Sequence, residues 1–179
     1  MTEQRVSYRY AKAVIDSAQT ESITDTLYED FLQVEQMLNI SHDLRTYIKS
    51  PVVPELKKLR IMNEIFDSRI SDVTMRFLRF LIMKGRGELI IDIIAQYEML
   101  YNKLNNKLKI EVTTAIELNE TIKAGLISKI TSMTNKEILP EYKVDKSVTG
   151  GILVKIDDWV YDATLKNQLE NLFKQLSTN

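Results

Sequence analysis

Val148-Thr149-Gly150-Gly151-Ile152-Leu153-Val154-Lys155-Ile156-Asp157-Asp158-Trp159-Val160-Tyr161-Asp162 (VTGGILVKIDDWVYD) holds the only Gly-Gly pair and the only tryptophan of the 179-residue chain. Glycine pairs cradle phosphates when their spacing is GxxxxGK[ST], or GxGxxG between a strand and a helix. Neither spacing is present here. The residues after the pair, Ile152 to Ile156, are β-branched and apolar and read as a strand. Their amides belong in a sheet ladder, so they do not converge on an anion at a helix N-terminus. Asp157-Asp158 then separates this strand from Trp159-Val160-Tyr161-Asp162, the two-residue spacing of a tight hairpin. On this reading the glycines form a turn, and no nucleotide role attaches to them.

Upstream the pattern is helical. Glycine and proline number only five and three, and they fall almost entirely at boundaries. Six helices are expected through about residue 105. The first runs from about Val6 to Ala18, with Tyr10, Val14 and Ala18 on one face. The second spans Thr24 to Leu38, capped by Thr24 or Asp25, with Leu27, Phe31, Val34 and Leu38 in step. The third, His42 to Lys49, stops at Ser50-Pro51, because a residue before proline is driven out of the helical region. The fourth runs from Pro54 to Phe66. The fifth, capped by Ser71 or Asp72, ends at Gly85. The sixth carries a stripe from Ile90 to Leu108 at three- and four-residue steps. Near Lys107 the pattern changes. Lys109 to Ala115 alternates as a strand, Asn119 to Met133 reads as a helix with Ile122, Leu126, Ile130 and Met133 in register, and a last helix carries Leu165, Leu169, Leu172, Phe173 and Leu176. The fold class expected is therefore mainly α: a six-helix N-terminal bundle over 1–105, then a small α/β module over 106–179 with a β-hairpin.

Composition narrows the function. Twenty-four basic against 25 acidic residues leave a net charge of -1, and the signs balance from residue 105 onward, so no electrostatic footprint for nucleic acid is present. There is no cysteine, hence no disulfide or thiolate metal site. No run reaches the roughly 18 apolar residues of a membrane span, and MTEQRVSYRY lacks the apolar core of a secretory signal. The chain is expected to reach a membrane only through a partner, without inserting. His42 is the only histidine; it opens a short polar helix, where capping is the simpler role. Asp157-Asp158, adjacent carboxylates in a turn, lack further ligands nearby. Glu29-Asp30 reads as a solvated helix face. No catalytic residue, metal site or cofactor site is expected.

The apolar features are more informative. In the fifth helix Val73, Phe77, Phe80 and Leu81 are read as one face and Met75, Leu78 and Ile82 as another. A helix apolar nearly all round is enclosed by its own bundle or turns its second face to a partner. The first helix carries the small residues Ala11, Ala13 and Ala18, which leave a shallow groove that suits an amphipathic helix from another chain.

The segment Val144-Asp145-Lys146-Ser147-Val148-Thr149-Gly150-Gly151, followed by Asp158 and Val160-Tyr161-Asp162-Ala163-Thr164, resembles the C-terminal signature of the δ subunit of bacterial F-type ATP synthase, the family of the mitochondrial oligomycin-sensitivity-conferring protein. Arg9-Tyr10-Ala11-Lys12-Ala13, Gly85-Arg86 and Val112-Thr113-Thr114-Ala115 with Leu118 fall in the matching order, so the resemblance covers nearly the whole chain. Lys84, Glu117 and Ala163-Thr164 depart from the family's usual Asn, Pro and Gly-Ser. The resemblance implies a non-catalytic stator connector, one copy per complex, peripheral on the cytoplasmic side of a bacterial inner (plasma) membrane. It also implies two partners. The N-terminal helix of an α subunit of the catalytic head would lie between Tyr10, Ala11, Ala13 and Val14 on the first helix and Phe77, Leu78, Leu81 and Ile82 on the fifth. The b subunits of the peripheral stalk would engage the C-terminal region, with Leu169, Leu172 and Leu176 of the last helix as the face to examine. The rival is a stand-alone helical adaptor that uses the same groove for another amphipathic segment.

Overall fold

The computed structural model describes residues 3–156, 159–169 and 173. It is mainly helical, with a small C-terminal four-stranded sheet. The chain divides into two compact units, Met1–Tyr101 and Asn102–Asn179. No helix among the described residues is long and apolar enough to cross a membrane.

The first unit contains α1 (Glu3–Glu21), α2 (Thr24–Ile40), α3 (His42–Lys49), α4 (Glu55–Phe66), α5 (Asp72–Met83), a 3-10 turn (Gly87–Leu89) and most of α6 (Ile90–Leu104). One apolar cluster joins them, from Ala11, Ile15 and Ala18 of α1 through Phe31, Met62 and Leu78 to Ile93 and Tyr97 of α6. Several local expectations are corrected. The buried face of α1 is Ser7, Ala11, Ile15 and Ala18, while Tyr10 and Val14 are only half-buried. Thr24 and Asp25 lie inside the first turn of α2, and Ile23 stands at its N-cap position without a side-chain bond. Asp25 instead accepts a 2.7 Å hydrogen bond from the Tyr101 hydroxyl. Ser41 caps α3, its Oγ accepting from the Leu44 amide at 3.3 Å, so His42 is not the cap. The apolar stripe of α6 stops being helical at Leu104, because Leu108 already lies in a strand.

Asp30 overturns its sequence reading. It is buried rather than solvated. Its Oδ2 accepts from the Ser71 amide (3.0 Å), the Ser71 hydroxyl (2.6 Å) and the Thr74 hydroxyl (2.6 Å). Periodicity in α2 placed the carboxylate beside Phe31 but could not reveal that the start of α5, forty-odd residues later, supplies its donors. A carboxylate at a helix N-terminus also meets the positive end of the helix dipole. Around it the aromatic residues interlock: Phe31 meets Tyr97 edge-on at 4.8 Å and Phe77 at 6.0 Å, and Tyr28 stacks on Tyr101 at 4.1 Å.

The second unit is built on a β1-α7-β2 crossover: β1 (Lys107–Thr114), α7 (Glu120–Thr134) and β2 (Glu137–Val144). β1 and β2 are parallel, which requires such a connection. Then come β3 (Gly151–Ile156) and β4 (Trp159–Thr164), in the order β2-β1-β3-β4, with β3 antiparallel to both neighbours. Pro140 lies within β2 and obscured that strand in the sequence; it is tolerated because β2 is an edge. Leu126, Ile127 and Ile130 of α7 pack against Leu108, Ile110, Val112, Ile138 and Val154. Ile122 and Met133, expected in that stripe, are exposed, and Ile127 takes the inward position.

The glycine pair does not make the turn. That turn is formed by Asp145 to Val148, where Asp145 Oδ1 accepts from the Ser147 amide at 2.8 Å and the Val148 amide donates to the Asp145 carbonyl at 3.1 Å. Gly150 and Gly151 open β3 at φ +103° and +83°, a region that side chains disfavour. A Cβ on Gly151 would lie 2.4 Å from the Ala163 carbonyl oxygen, and one on Gly150 would lie 2.8 Å from Leu165 Cδ1. Both glycines are therefore pressed against the end of β4. Residues 165–169 continue as helix from that point. Thr164 caps this helix, its hydroxyl accepting from the Asn167 amide at 3.3 Å, and Asp162 accepts from the Thr164 amide at 2.9 Å. The Asp157-Asp158 connection lies outside the described residues.

Unfolding experiments test three of these features. Asp30→Ala, which strands the Ser71 and Thr74 donors, lowers the stability of the chain by about 2–4 kcal/mol in urea titrations; Asp30→Asn loses less. In alkali the Tyr101 side chain contributes a second effect. Its pKa is pushed up to about 12, first by the hydrogen bond to Asp25 and then by burial, and burial pushes Tyr97 up as well. The native state holds the protonated phenol, so this stabilisation is complete below pH 10. It is lost as pH rises from about 10 through 12, at about 1.4 kcal/mol per pH unit for one group. Tyr101→Phe shallows that slope. Gly151→Ala, strained in φ and colliding with backbone, melts the second unit by circular dichroism at a lower temperature than wild type while leaving the helical unit's transition in place.

Candidate partner-binding surfaces

The first surface lies along α1 and α5. Ser71 fixes where α5 begins: its Oγ accepts from the Thr74 amide at 3.4 Å while donating to Asp30. From that start, Thr74, Met75, Leu78, Leu81 and Ile82 turn into the core. Leu81 thus belongs with Met75, Leu78 and Ile82, not with Phe77 and Phe80 as the sequence suggested. The outward row is Val73, Phe77 and Phe80, at four- and three-residue steps; the first two are half-buried and Phe80 is 46% exposed. On α1 the matching row is Val6, Tyr10 and Val14, each half-buried against the core. The two rows meet where the Tyr10 and Phe80 rings stand edge to face at 6.3 Å. Lys84 Nζ sits 5.9 Å from the Phe80 ring centre and puts a cation at one end.

The eight residues named from the sequence therefore fall into two layers. Tyr10, Ala13, Val14 and Phe77 reach the surface, wholly or in part. Ala11, Leu78, Leu81 and Ile82 are buried in the core and reach no partner in this conformation. They shape the surface from beneath: Ala11, with no side chain beyond Cβ, lets the body of α1 lie close to its neighbours. Val6, Val73 and Phe80 were missed as surface residues. Their signal was available in the three- and four-residue spacing from Tyr10 and Phe77, once Leu81 is assigned inward.

The second surface lies on the small sheet. Trp159, Val160 and Tyr161 of edge strand β4 are exposed, as are Leu165 and Leu169 of the helical residues after it and Phe173. Leu169 is the described member of the expected stalk face; Leu172 and Leu176 lie outside the described residues. Gln168 Nε2 donates to the Ala163 carbonyl at 3.2 Å, and Asn167 Nδ2 to the Asp162 carbonyl at 2.8 Å, so polar side chains of this helix fold back on β4. Its apolar residues are thereby left outward.

Chemistry-bearing groups are sparse by comparison. His42 is exposed, with Nε2 3.5 Å from the Thr46 hydroxyl. Among the described residues no three His, Cys, Asp or Glu side chains come together in a way that could hold a metal. An open cleft of about 470 Å³ is lined by Gln4, Arg5, Tyr8, Arg9 and Gln96.

Comparison with known proteins identifies the family. A family model described as the ATP synthase delta (OSCP) subunit matches residues 6–176. The ATP synthase subunit delta of Chlorobium phaeobacteroides (strain BS1) is 33% identical over 172 residues, covering 96% of each chain. That of Salinibacter ruber is 32% identical, covering 98% of this chain and 93% of its own. A chloroplastic subunit delta from Trieres chinensis is 34% identical, covering 97% and 94%. Among solved structures, a chain of the Toxoplasma gondii mitochondrial ATP synthase hexamer superposes with a TM-score of 0.81 over 98% of both chains at 18% identity, a likeness of fold.

Proposed function

The chain belongs to the ATP synthase delta (OSCP) family, and from that premise we propose how its two units share the work of a stator connector. It is a structural, non-catalytic subunit of the F-type synthase, a membrane-associated complex. In such a machine, ion-driven rotation exerts torque on the catalytic head, and the head must not turn with the rotor. Family membership leaves no place for the stand-alone adaptor.

The N-terminal domain, residues 1–105, binds the catalytic head. The occupant of the α1/α5 surface is the N-terminal helix of an α subunit. Its apolar anchors lie along Tyr10 and Val14 on one side and Phe77 and Phe80 on the other. Ala13 sits at the rim, and Ala11, Leu78, Leu81 and Ile82 hold the floor. The single observation that carries this is the pair of apolar rows that pack against the core from one side, remain partly open to solvent on the other, and are joined by the Tyr10–Phe80 contact. The C-terminal domain, residues 106–179, engages the b subunits of the peripheral stalk, with Leu169, Leu172 and Leu176 as the engaging residues. One copy serves each complex, on the cytoplasmic side of the membrane. In finer detail, the first unit is a six-helix bundle, and the antiparallel neighbours β3 and β4 form a hairpin.

Two linked contacts hold better than either alone, because once one is made the other forms at high effective concentration. A connector need not bind either partner with exceptional affinity, provided both sites are engaged at once.

Titration of the full chain with a peptide spanning the N-terminal helix of the cognate α subunit, monitored by calorimetry, tests the first contact. Wild type binds at micromolar affinity or tighter. Phe80→Asp, at an exposed position, keeps the fold and weakens binding about ten- to a hundredfold, on the order of 1.4–2.8 kcal/mol. Leu81→Asp, by contrast, destabilises the unit itself. An unchanged affinity in folded Phe80→Asp places the α helix elsewhere.

A further inference from the structure

Charge is unevenly placed on the first unit. α2 carries Asp25, Glu29, Asp30 and Glu35 and no basic residue, whereas the stretch from Val73 to Arg86 carries Arg76, Arg79, Lys84 and Arg86 and no acidic one. The four cations do not share a direction. Arg79 Nε donates to Asn63 Oδ1 of α4 at 2.9 Å, and Arg86 lies past the end of α5. Arg76 and Lys84 stand four residues before and after Phe80, so both share its outward side. Both are exposed, and Lys84 Nζ lies 5.9 Å from the Phe80 ring centre.

Nothing nearby neutralises these two. Among the described residues neither forms an ion pair. Asp72 opens α5 on the flank it shares with Arg79, seven residues on. Asp30 is committed to Ser71 and Thr74. On α1, Asp16 is paired with Lys12 at 2.7 Å, and Glu3 lines a cleft with Asp92 and Gln96 of α6. Arg5 and Arg9 likewise line a cleft toward Gln96. The row that α1 turns toward Phe80, made of Val6, Tyr10 and Val14, is uncharged. The surface is therefore apolar along its middle, cationic along its α5 border and neutral along its α1 border.

We infer that the helix filling this surface carries acidic residues along one flank of its apolar stripe, the flank that faces α5, and that Arg76 and Lys84 select it by charge. This rests on the reading of the surface as the site of the head's N-terminal helix. Arg76 and Lys84 are about 12 Å apart along α5, or two turns of a helix lying beside it, so carboxylates seven or eight residues apart on the occupant meet both. Exposed border charges add little to affinity, which Phe77 and Phe80 supply; they speed association and turn away a helix with a basic flank. Acid on one flank also fixes the direction of the occupant. Reversing it end to end would carry that flank over to the neutral α1 border.

The full chain is titrated with the peptide spanning the N-terminal helix of the cognate α subunit at about 0.02 M and about 0.5 M NaCl, where charges are screened over roughly 20 Å and roughly 4 Å. Wild-type affinity falls about tenfold with the added salt. The double variant Arg76→Glu with Lys84→Glu, at two exposed positions, keeps its circular dichroism, binds about tenfold more weakly at low salt, and no longer weakens as salt is added. Lys57→Glu, a reversal at an exposed position of α4, changes nothing. A peptide whose flanking carboxylates are replaced by lysine prefers the double variant to wild type. Affinity indifferent to salt and to the double reversal, yet lost in Phe80→Asp, overturns the selection by charge and leaves the head-binding reading in place. Salt sensitivity that survives the double reversal also overturns it, because other charges then carry the effect. Equal binding by Phe80→Asp, or no binding by folded wild type, removes the head-binding reading and this inference with it.

Discussion

The first unit turns on one buried carboxylate. Asp30 is held out of water by three donors, all from the first residues of α5. A buried charge is tolerated only when its hydrogen bonds are complete. Asp30 therefore sets the position of α5 along α2 more sharply than apolar packing would, because a slide of one residue would strand the charge. The outward face of α5 depends entirely on that register. With Ser71 and Thr74 committed to Asp30, Leu78, Leu81 and Ile82 turn inward, and Phe77 and Phe80 are left for the surface.

Much of this architecture was legible in the sequence, and the misses share a cause. Helix limits were readable where a local signal marks them, as at Ser50-Pro51, Ser71 and Gly85. The change from helical to alternating pattern near Lys107 was equally plain. What escaped depended on contacts distant in the chain. Asp30 looked like any acidic residue on a helix until its donors were known. β2 was hidden because Pro140 argues against a central strand, and the sequence does not announce that β2 is an edge. The face of α5 was misassigned by one position because a helix apolar nearly all round offers no internal contrast; only its neighbours decide which side is inside. For the same reason four of the eight residues expected on the surface, Ala11, Leu78, Leu81 and Ile82, lie in the core.

The C-terminal signature gains a physical meaning from the register of β3 and β4. Gly151 lies opposite Thr164, so residues distant in sequence form one corner. There a backbone too close for any Cβ, a capping hydroxyl and the Asp162 carboxylate together launch the last helix. Asp162 is held below the usual carboxylate range by its bonds to Thr164, in keeping with an anion at a helix start. The glycines that looked as though they might cradle a phosphate serve to aim a helix. The departure from Gly-Ser at Ala163-Thr164 is accommodated because Thr164 caps as a serine would.

Pro140 has a consequence for the subunit before it joins its complex. A four-stranded sheet has two open rims, and each is a template on which another copy can grow. β2 is blunted by a residue that lacks an amide hydrogen. At the β4 rim, the side-chain amide of Asn167 already occupies the Asp162 carbonyl. Newly made subunits that accumulate ahead of their partners are thus shielded from growing into ribbons.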